Sequence, residues 1–215
     1  MISEYFNKLC SMLVSKLFLK QFTGIENIPK QRGYIVAANH TSYLDIPVEY
    51  AVFLAKAGIF IRFIAKKELL EDKFFRIFNF LFGNKCNKTI LLDFTNPEKA
   101  FDEAIAALKK GNAVGIYPEG GRSPNGKIQK GKTGVIRIAL SARVPILPVG
   151  IRGTFELMAD KKSMPKIRKI IRVNIGEPIY LNKYYNKKIT KKILRELTNN
   201  VMREIAKLTE QKYNY

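Results

Sequence analysis

The chain holds a single histidine, His40, in the stretch "AANHTSYLDIP", with Asp45 five residues further on. Imidazole is the side chain best suited to taking and returning a proton near neutral pH. The apolar run Tyr34–Ala38 directly before it reads as a strand, so His40 falls at a strand's C-terminal end, where open α/β sheets place ligands. Pro47 fixes the start of a following helix near Asp45, because proline is tolerated only in a helix's first turn. The bend between strand and helix is short enough to set the Asp45 carboxylate against one imidazole nitrogen. The other nitrogen is then left as a base for a hydroxyl, a role that contributes roughly 10²–10⁴ in rate. Taken alone, the pair also fits a capping aspartate beside a solvated turn histidine.

A second constellation, "IYPEGGRSPNGK", again follows an apolar run directly. Glu119, Gly120, Gly121, Arg122 and Ser123 give a turn with a carboxylate, a bare backbone and a rigid guanidinium fork. Such a turn suits an anion: glycines let the backbone approach, and arginine bonds phosphate through two N–H groups. By itself this signal is weak.

A third stretch, "GKIQKGKT" from Gly126 to Thr133, has the spacing of a nucleotide-binding phosphate loop. The context argues against that function. Such a loop begins where a strand ends, whereas here the whole PEGGRS turn intervenes. The apolar strand ending in Asp that would hold magnesium, "TILLD", precedes the loop instead of following it.

Around these sites, Lys and Arg number 38 against 18 Asp and Glu, for a net charge of +20. That surface favours polyanions: nucleic acid, anionic lipid or phosphorylated substrates. Cys10 and Cys86 are the only cysteines, so no metal cluster or disulfide framework is expected. No run is long and charge-free enough for a membrane span, and no cleavable signal peptide is evident. The expected setting is the cytoplasmic side, though not necessarily free in solution.

Six strands are expected at 34–38, 59–65, 89–93, 113–117, 145–151 and 170–176, with helices over 96–111, 132–143 and 190–211 between and after them. Asn96 stands as an N-cap and Gly111 as a stop. This alternation predicts a single α/β domain with a mostly parallel central sheet flanked by helices. Residues 4–20 place Phe6, Leu9, Leu13 and Leu17 at helical spacing, framed by Lys8, Lys16 and Lys20. That pattern suits a helix lying in a membrane interface, and also an ordinary helix covering a core. "FFRIFNFLF", Phe74 to Phe82, reads as a helix that is apolar nearly all round.

Taken together, Asn39-His40, four residues, Asp45, with "YPEGGRS" some 75 residues later, resemble the glycerolipid acyltransferase family, typified by 1-acylglycerol-3-phosphate acyltransferases. The family's first motif is matched in full. Its Phe-Pro-Glu-Gly-Thr-Arg-Ser motif is matched with Tyr117 for Phe and Gly121 for Thr, and its apolar Val-Pro-Ile-x-Pro-Val run by Val144–Val149. The second motif is matched at Lys66 and Leu69. It departs at Arg76, which takes a glycine position, and at Phe94, which stands where an arginine is expected.

The resemblance implies O-acyl transfer from acyl-CoA or acyl-carrier protein to a lysophospholipid hydroxyl, giving phosphatidic acid where the acceptor is 1-acylglycerol-3-phosphate. It implies His40, Asp45 and Glu119 as catalytic residues, and Asn39, Lys66, Gly120, Gly121, Arg122 and Ser123 as substrate-binding. Arg76, Lys85 and Lys88 are candidates for the missing cation; otherwise the acceptor differs. No cofactor or metal is implied beyond the acyl thioester co-substrate. Residues 1–22 are expected to form a membrane-associating helix and 23–215 the acyltransferase domain. The enzyme would sit peripherally or monotopically on the cytoplasmic face of an anionic membrane, with no nucleic-acid partner. The competing readings are a phosphate-loop nucleotidase and a non-catalytic basic module.

Overall fold

The structure is a computed structural model that describes residues 2–30, 33–71, 89–93, 95–159 and 165–215. Its strands are β1 (Leu19–Thr23), β2 (Tyr34–Ala38), β3 (Ile61–Lys66), β4 (Ile90–Leu92), β5 (Ala113–Ile116), β6 (Ile146–Arg152) and β7 (Ile171–Ile175). Among the described residues they form one sheet in the order β1-β7-β6-β2-β5-β3-β4. All pairings are parallel except β6 with β7. The helices are α1 (Ile2–Phe18), α2 (Asp45–Ala57), α3 (Pro97–Lys109), α4 (Gly134–Ala142), α5 (Thr154–Leu157) and α6 (Lys191–Leu208).

The period of two along a strand divides the core between the sheet's faces. In β2, Tyr34, Val36 and Ala38 join one apolar cluster with α1 and α2, while Ile35 and Ala37 join another with α3, α4 and α6. Every residue of β2 is buried, as expected for a central parallel strand covered on both faces. In α6, Leu197, Val201 and Ile205 turn one stripe inward, and the Thr190 hydroxyl caps the first turn by accepting from the Ile193 amide at 3.2 Å.

The six expected strands are present, together with a seventh. The helix expected to reach Lys20 ends at Phe18, and Leu19–Thr23 instead pairs with Ile171–Asn174 at the sheet edge. With only Leu19 and Phe22 apolar, this strand carries little signal in the sequence. The boundary expected between residues 22 and 23 therefore falls inside a strand, and α1 shares a core with the rest of the chain. Asn96 occupies the N-cap position of α3 but makes no side-chain capping bond. The helix expected over Phe74–Phe82 lies outside the described residues, as do Arg76, Lys85, Lys88 and Phe94.

α1 packs against α2. The side it buries includes the small or polar Asn7, Ser11 and Ser15, spaced one turn apart, with Cys10, Val14 and Phe18 partly covered. Its large apolar residues Tyr5, Phe6, Leu9, Met12, Leu13 and Leu17 face outward, with Tyr5 75% and Leu9 64% exposed. No helix among the described residues is long and apolar enough to cross a membrane.

One glycine in β5 is set by close approach. A Cβ on Gly115 would lie 2.5 Å from Phe63 Cδ1 and 2.8 Å from Ile61 Cγ2, so its bare backbone is what lets Phe63 settle against the strand. Overpacking at such a point forces side chains off their rotamers. Gly115→Ala is expected to lower stability by about 1–3 kcal/mol, read as a shift of the urea midpoint at constant m-value.

Candidate active site

Four parallel strands bring their C-terminal ends together: β2 leads to His40, β5 to Tyr117 and the PEGGRS turn, β3 ends in Lys66 and β4 in Leu92. These ends, with the first turns of α3 and α4, line a cavity of about 350 Å³. Most of its wall is apolar, with Ile64, Phe101, Ile116 and Ile138 among the lining residues. His40 contributes an imidazole and Lys66, Arg122, Lys132 and Arg137 the cationic groups.

The bend after β2 has the form anticipated from the sequence. Asp45 is the first residue of α2, completely buried, and its Oδ2 accepts from the Thr41 amide at 2.6 Å and the Ser42 amide at 2.7 Å. The same oxygen lies 2.8 Å from His40 Nδ1. A carboxylate at a helix N-terminus is favoured by the helix dipole, and here it also satisfies backbone donors. An ionised carboxylate only accepts, so Nδ1 carries the proton and Nε2 is left to accept one. The Ser42 hydroxyl, which accepts from the Leu44 amide at 3.0 Å and donates to the Met158 carbonyl at 2.6 Å, ties the bend to the segment after α5.

The PEGGRS turn is clasped to this bend from both ends. Glu119 Oε1 accepts from the His40 amide at 2.8 Å, and Oε2 accepts from the Gln129 amide at 2.9 Å. The Ser123 amide donates to the His40 carbonyl at 2.7 Å. Burial pushes Glu119 up to about 7, against the two backbone donors that favour its ionised form. Behind the turn, the Tyr117 ring stacks on His40 with centroids 4.1 Å apart and planes 16° from parallel.

Among the expected site residues, the structure brings His40, Lys66, Gly120, Gly121 and Arg122 onto the cavity wall. Asp45, Glu119, Asn39 and Ser123 stand behind it, all buried. Glu119, expected to be catalytic, spends both carboxyl oxygens on backbone amides. Asn39, expected to bind substrate, uses its amide on the neighbouring strand: it donates to the Ile151 carbonyl and accepts from the Ile151 amide, both at 2.8 Å, pinning β2 to β6. Ser123 likewise bonds within its own loop, its hydroxyl lying 3.0 Å from Asn125 Oδ1. Arg122 stacks its guanidinium 3.5 Å over the Tyr43 ring.

Residues 126–133 do not form a phosphate loop. The Lys132 amide donates to the Pro118 carbonyl at 2.7 Å, and the Gly131 carbonyl accepts from Arg195 at 2.6 Å. The Lys132 side chain lies across Gly120, whose φ of 73° and missing Cβ leave the room, since a Cβ there would meet Nζ at 2.7 Å. Lys132 and Arg137 are cavity residues that sequence reasoning did not assign to the site; their basic character was visible, but their placement was not.

Glu49, one turn after Asp45 on α2, is a third residue with no motif to mark it. It is fully buried, and its Oε2 accepts from the Tyr117 hydroxyl at 2.8 Å. Burial pushes it up to about 8, opposed by the Tyr117 bond and reinforced by the Asp45 charge. A carboxyl raised from 4.5 to about 8 stabilises the fold fully below the lower value and loses that contribution as pH climbs through the higher one. Relative to Glu49→Gln, the wild-type chain is therefore expected to lose on the order of a few kcal/mol across this window. Urea titrations of both proteins at its two ends check this, and a pH-independent difference would contradict it.

Comparison with known proteins agrees with this geometry. A crystal structure titled as the 1-acyl-sn-glycerophosphate acyltransferase PlsC from Thermotoga maritima superposes with a TM-score of 0.69 at 29% identity, covering 99% of this chain and 80% of that one. A probable 1-acyl-sn-glycerol-3-phosphate acyltransferase of Mycoplasma pneumoniae is 28% identical over 80% of this chain and 67% of its own length. The 1-acyl-sn-glycerol-3-phosphate acyltransferase of Bacillus subtilis is 30% identical over 72% of this chain and 71% of its own. Against some other relatives of that name the chain spans only about half of their length. Residues 20–152, which run from within β1 to the end of β6 and include both motif loops, match the family described as Acyltransferase. The chain belongs to the acyltransferase family of enzymes.

Proposed function

We propose that the chain transfers an acyl group from acyl-CoA or acyl-carrier protein to the free hydroxyl of 1-acylglycerol-3-phosphate, giving phosphatidic acid. The observation that carries the reading is the His40–Asp45 pair: Nδ1 is held by a buried carboxylate and Nε2 is left as a base beside a largely apolar cavity. His40 Nε2 takes the hydroxyl proton as the acceptor oxygen attacks the thioester carbonyl carbon. The C–S bond then breaks, and the departing thiolate recovers that proton from the imidazolium. Thiolate is a good leaving group, so no covalent enzyme intermediate is needed.

The apolar wall suits an acyl chain, and Lys66 and Arg122 suit the acceptor phosphate. Phe94 takes an arginine's place in the second motif. We assign the missing charge to Lys132 and Arg137, which line the same cavity. No metal or cofactor takes part in this scheme. The relatives' names favour the phosphatidic acid product over another lysophospholipid acceptor.

The test is transfer of labelled acyl groups from acyl-CoA, and in parallel from acyl-carrier protein, to a panel of lysolipids in mixed micelles. Lysophosphatidic acid is expected to be preferred, with His40→Ala costing at least about a hundredfold in rate. His40→Ala at normal turnover would end the mechanism, and transfer only to another lysolipid would move the acceptor assignment.

The membrane is the second part of the proposal. The outward apolar stripe of α1, flanked by the exposed Lys8 and Lys16, fits the acyl and phosphate levels of an anionic bilayer surface reached from the cytoplasmic side. The chain is expected to co-sediment with vesicles containing phosphatidylglycerol more than with phosphatidylcholine alone. Paired Leu9→Glu and Leu13→Glu substitutions should abolish this without lowering stability. Equal binding by that variant would refute a membrane role for α1.

A further inference from the structure

Two buried polar groups lie behind the catalytic histidine, and the proton-transfer scheme above uses neither. Glu49 projects from α2 into the cluster that contains Val48, Phe53 and Phe63, with no exposed surface. Burying a carboxyl in apolar surroundings costs stability, and one hydrogen bond recovers only part of that cost. A leucine would be the easier residue there. The partner of Glu49 is the hydroxyl of the buried Tyr117, a second polar group in the same apolar surroundings. The two groups meet at 2.8 Å, although 68 residues separate them in the chain.

What the pair controls follows from geometry. The bond from His40 Nδ1 to Asp45 fixes one point of the imidazole, but leaves the ring able to turn about the N–H···O axis. Nε2 swings with that turn. The Tyr117 ring, 4.1 Å from the imidazole and 16° from parallel, opposes it. Tyr117 is itself backed by Phe63, with planes 11° apart and centroids 6.2 Å apart. The ring's remaining freedom is to slide within this stack, and its hydroxyl is the atom best placed to stop that.

We propose that Glu49 is a positioning residue for this reaction: by holding the Tyr117 hydroxyl it fixes the stacked ring that sets the plane of His40, and so the direction of Nε2. Burial raises Glu49 to about 8, which favours its neutral form at neutral pH and keeps a further charge away from the His40–Asp45 pair. The Tyr117 phenol, raised further by burial and by both carboxyls, stays protonated and donates.

This inference rests on the acyl-transfer reading, and its test separates the two. Tyr117→Phe, Glu49→Leu, the double variant and Glu49→Gln are compared in the acyl-transfer assay. Each of the first two leaves one buried polar group unpaired and is expected to lower kcat about tenfold to a hundredfold, with little change in KM. In the double variant, which removes both groups at nearly constant volume, the losses should fall well short of their sum. Glu49→Gln still accepts from the hydroxyl and should retain most of the turnover. Unchanged kcat in both single variants, or losses that simply add, would overturn the proposal.

A substrate-free measurement runs beside it. His40 is the only histidine, so protein labelled at histidine gives one imidazole Cε1–Hε1 resonance, displaced by the Tyr117 ring current. Glu49→Leu should move that resonance and Glu49→Gln should not. A resonance unmoved in Glu49→Leu counts against the proposal even if the wild-type chain transfers no acyl group, an outcome that would sink the acyl-transfer reading separately.

Discussion

The site depends on one buried oxygen. Asp45 Oδ2 accepts from two backbone amides and from the imidazole of His40, all within 2.8 Å. A carboxylate removed from water needs such donors to remain charged, and a helix N-terminus supplies unpaired amides together with a favourable dipole. The charge that orients the histidine is thus also the anchor of the bend between β2 and α2. Chemistry and backbone conformation share the same bonds.

From that anchor the remaining contacts spread outward in a consistent order. Asn39 locks the end of β2 to β6, and Glu119 and Ser123 clip the loop after β5 onto His40. Two loops from different strands are thereby held as one body, which is how a parallel sheet converts strand ends into a rigid site. The Lys132 side chain folds across Gly120, so the stretch with phosphate-loop spacing is drawn into the cavity wall. Its spacing therefore has no bearing on nucleotides.

α1 follows a different economy. Its small and polar side chains let it lie close to α2, and its large apolar ones are left outside. A helix that stabilised only the core would be reversed, because apolar burial is the larger gain. The amphipathic pattern was legible in residues 4–20, but two readings of it stayed open. Only the packing showed which side faces inward.

Much of the fold could be read from local signals. The alternation of apolar runs with amphipathic helices gave the parallel architecture, and the stripe through Leu197, Val201 and Ile205 gave α6. The motifs put His40, Lys66 and Arg122 at or just beyond strand ends and Asp45 at the start of α2, because each lies within a few residues of the element that carries it. β1 escaped, since a five-residue edge strand with two apolar side chains draws its definition from its partner β7.

The sequence by itself determined the spacing of His40 and Asp45, an interaction between near neighbours along the chain, and the order of separate motifs that carries the family resemblance. Tertiary structure alone decided the antiparallel β7, the bonding of Asn39 to β6, the entry of Lys132 into the cavity and the pairing of Glu49 with Tyr117. These contacts join residues far apart in sequence, and a single chain carries no periodicity that links such positions. They exist only once the strand order sets which loops meet.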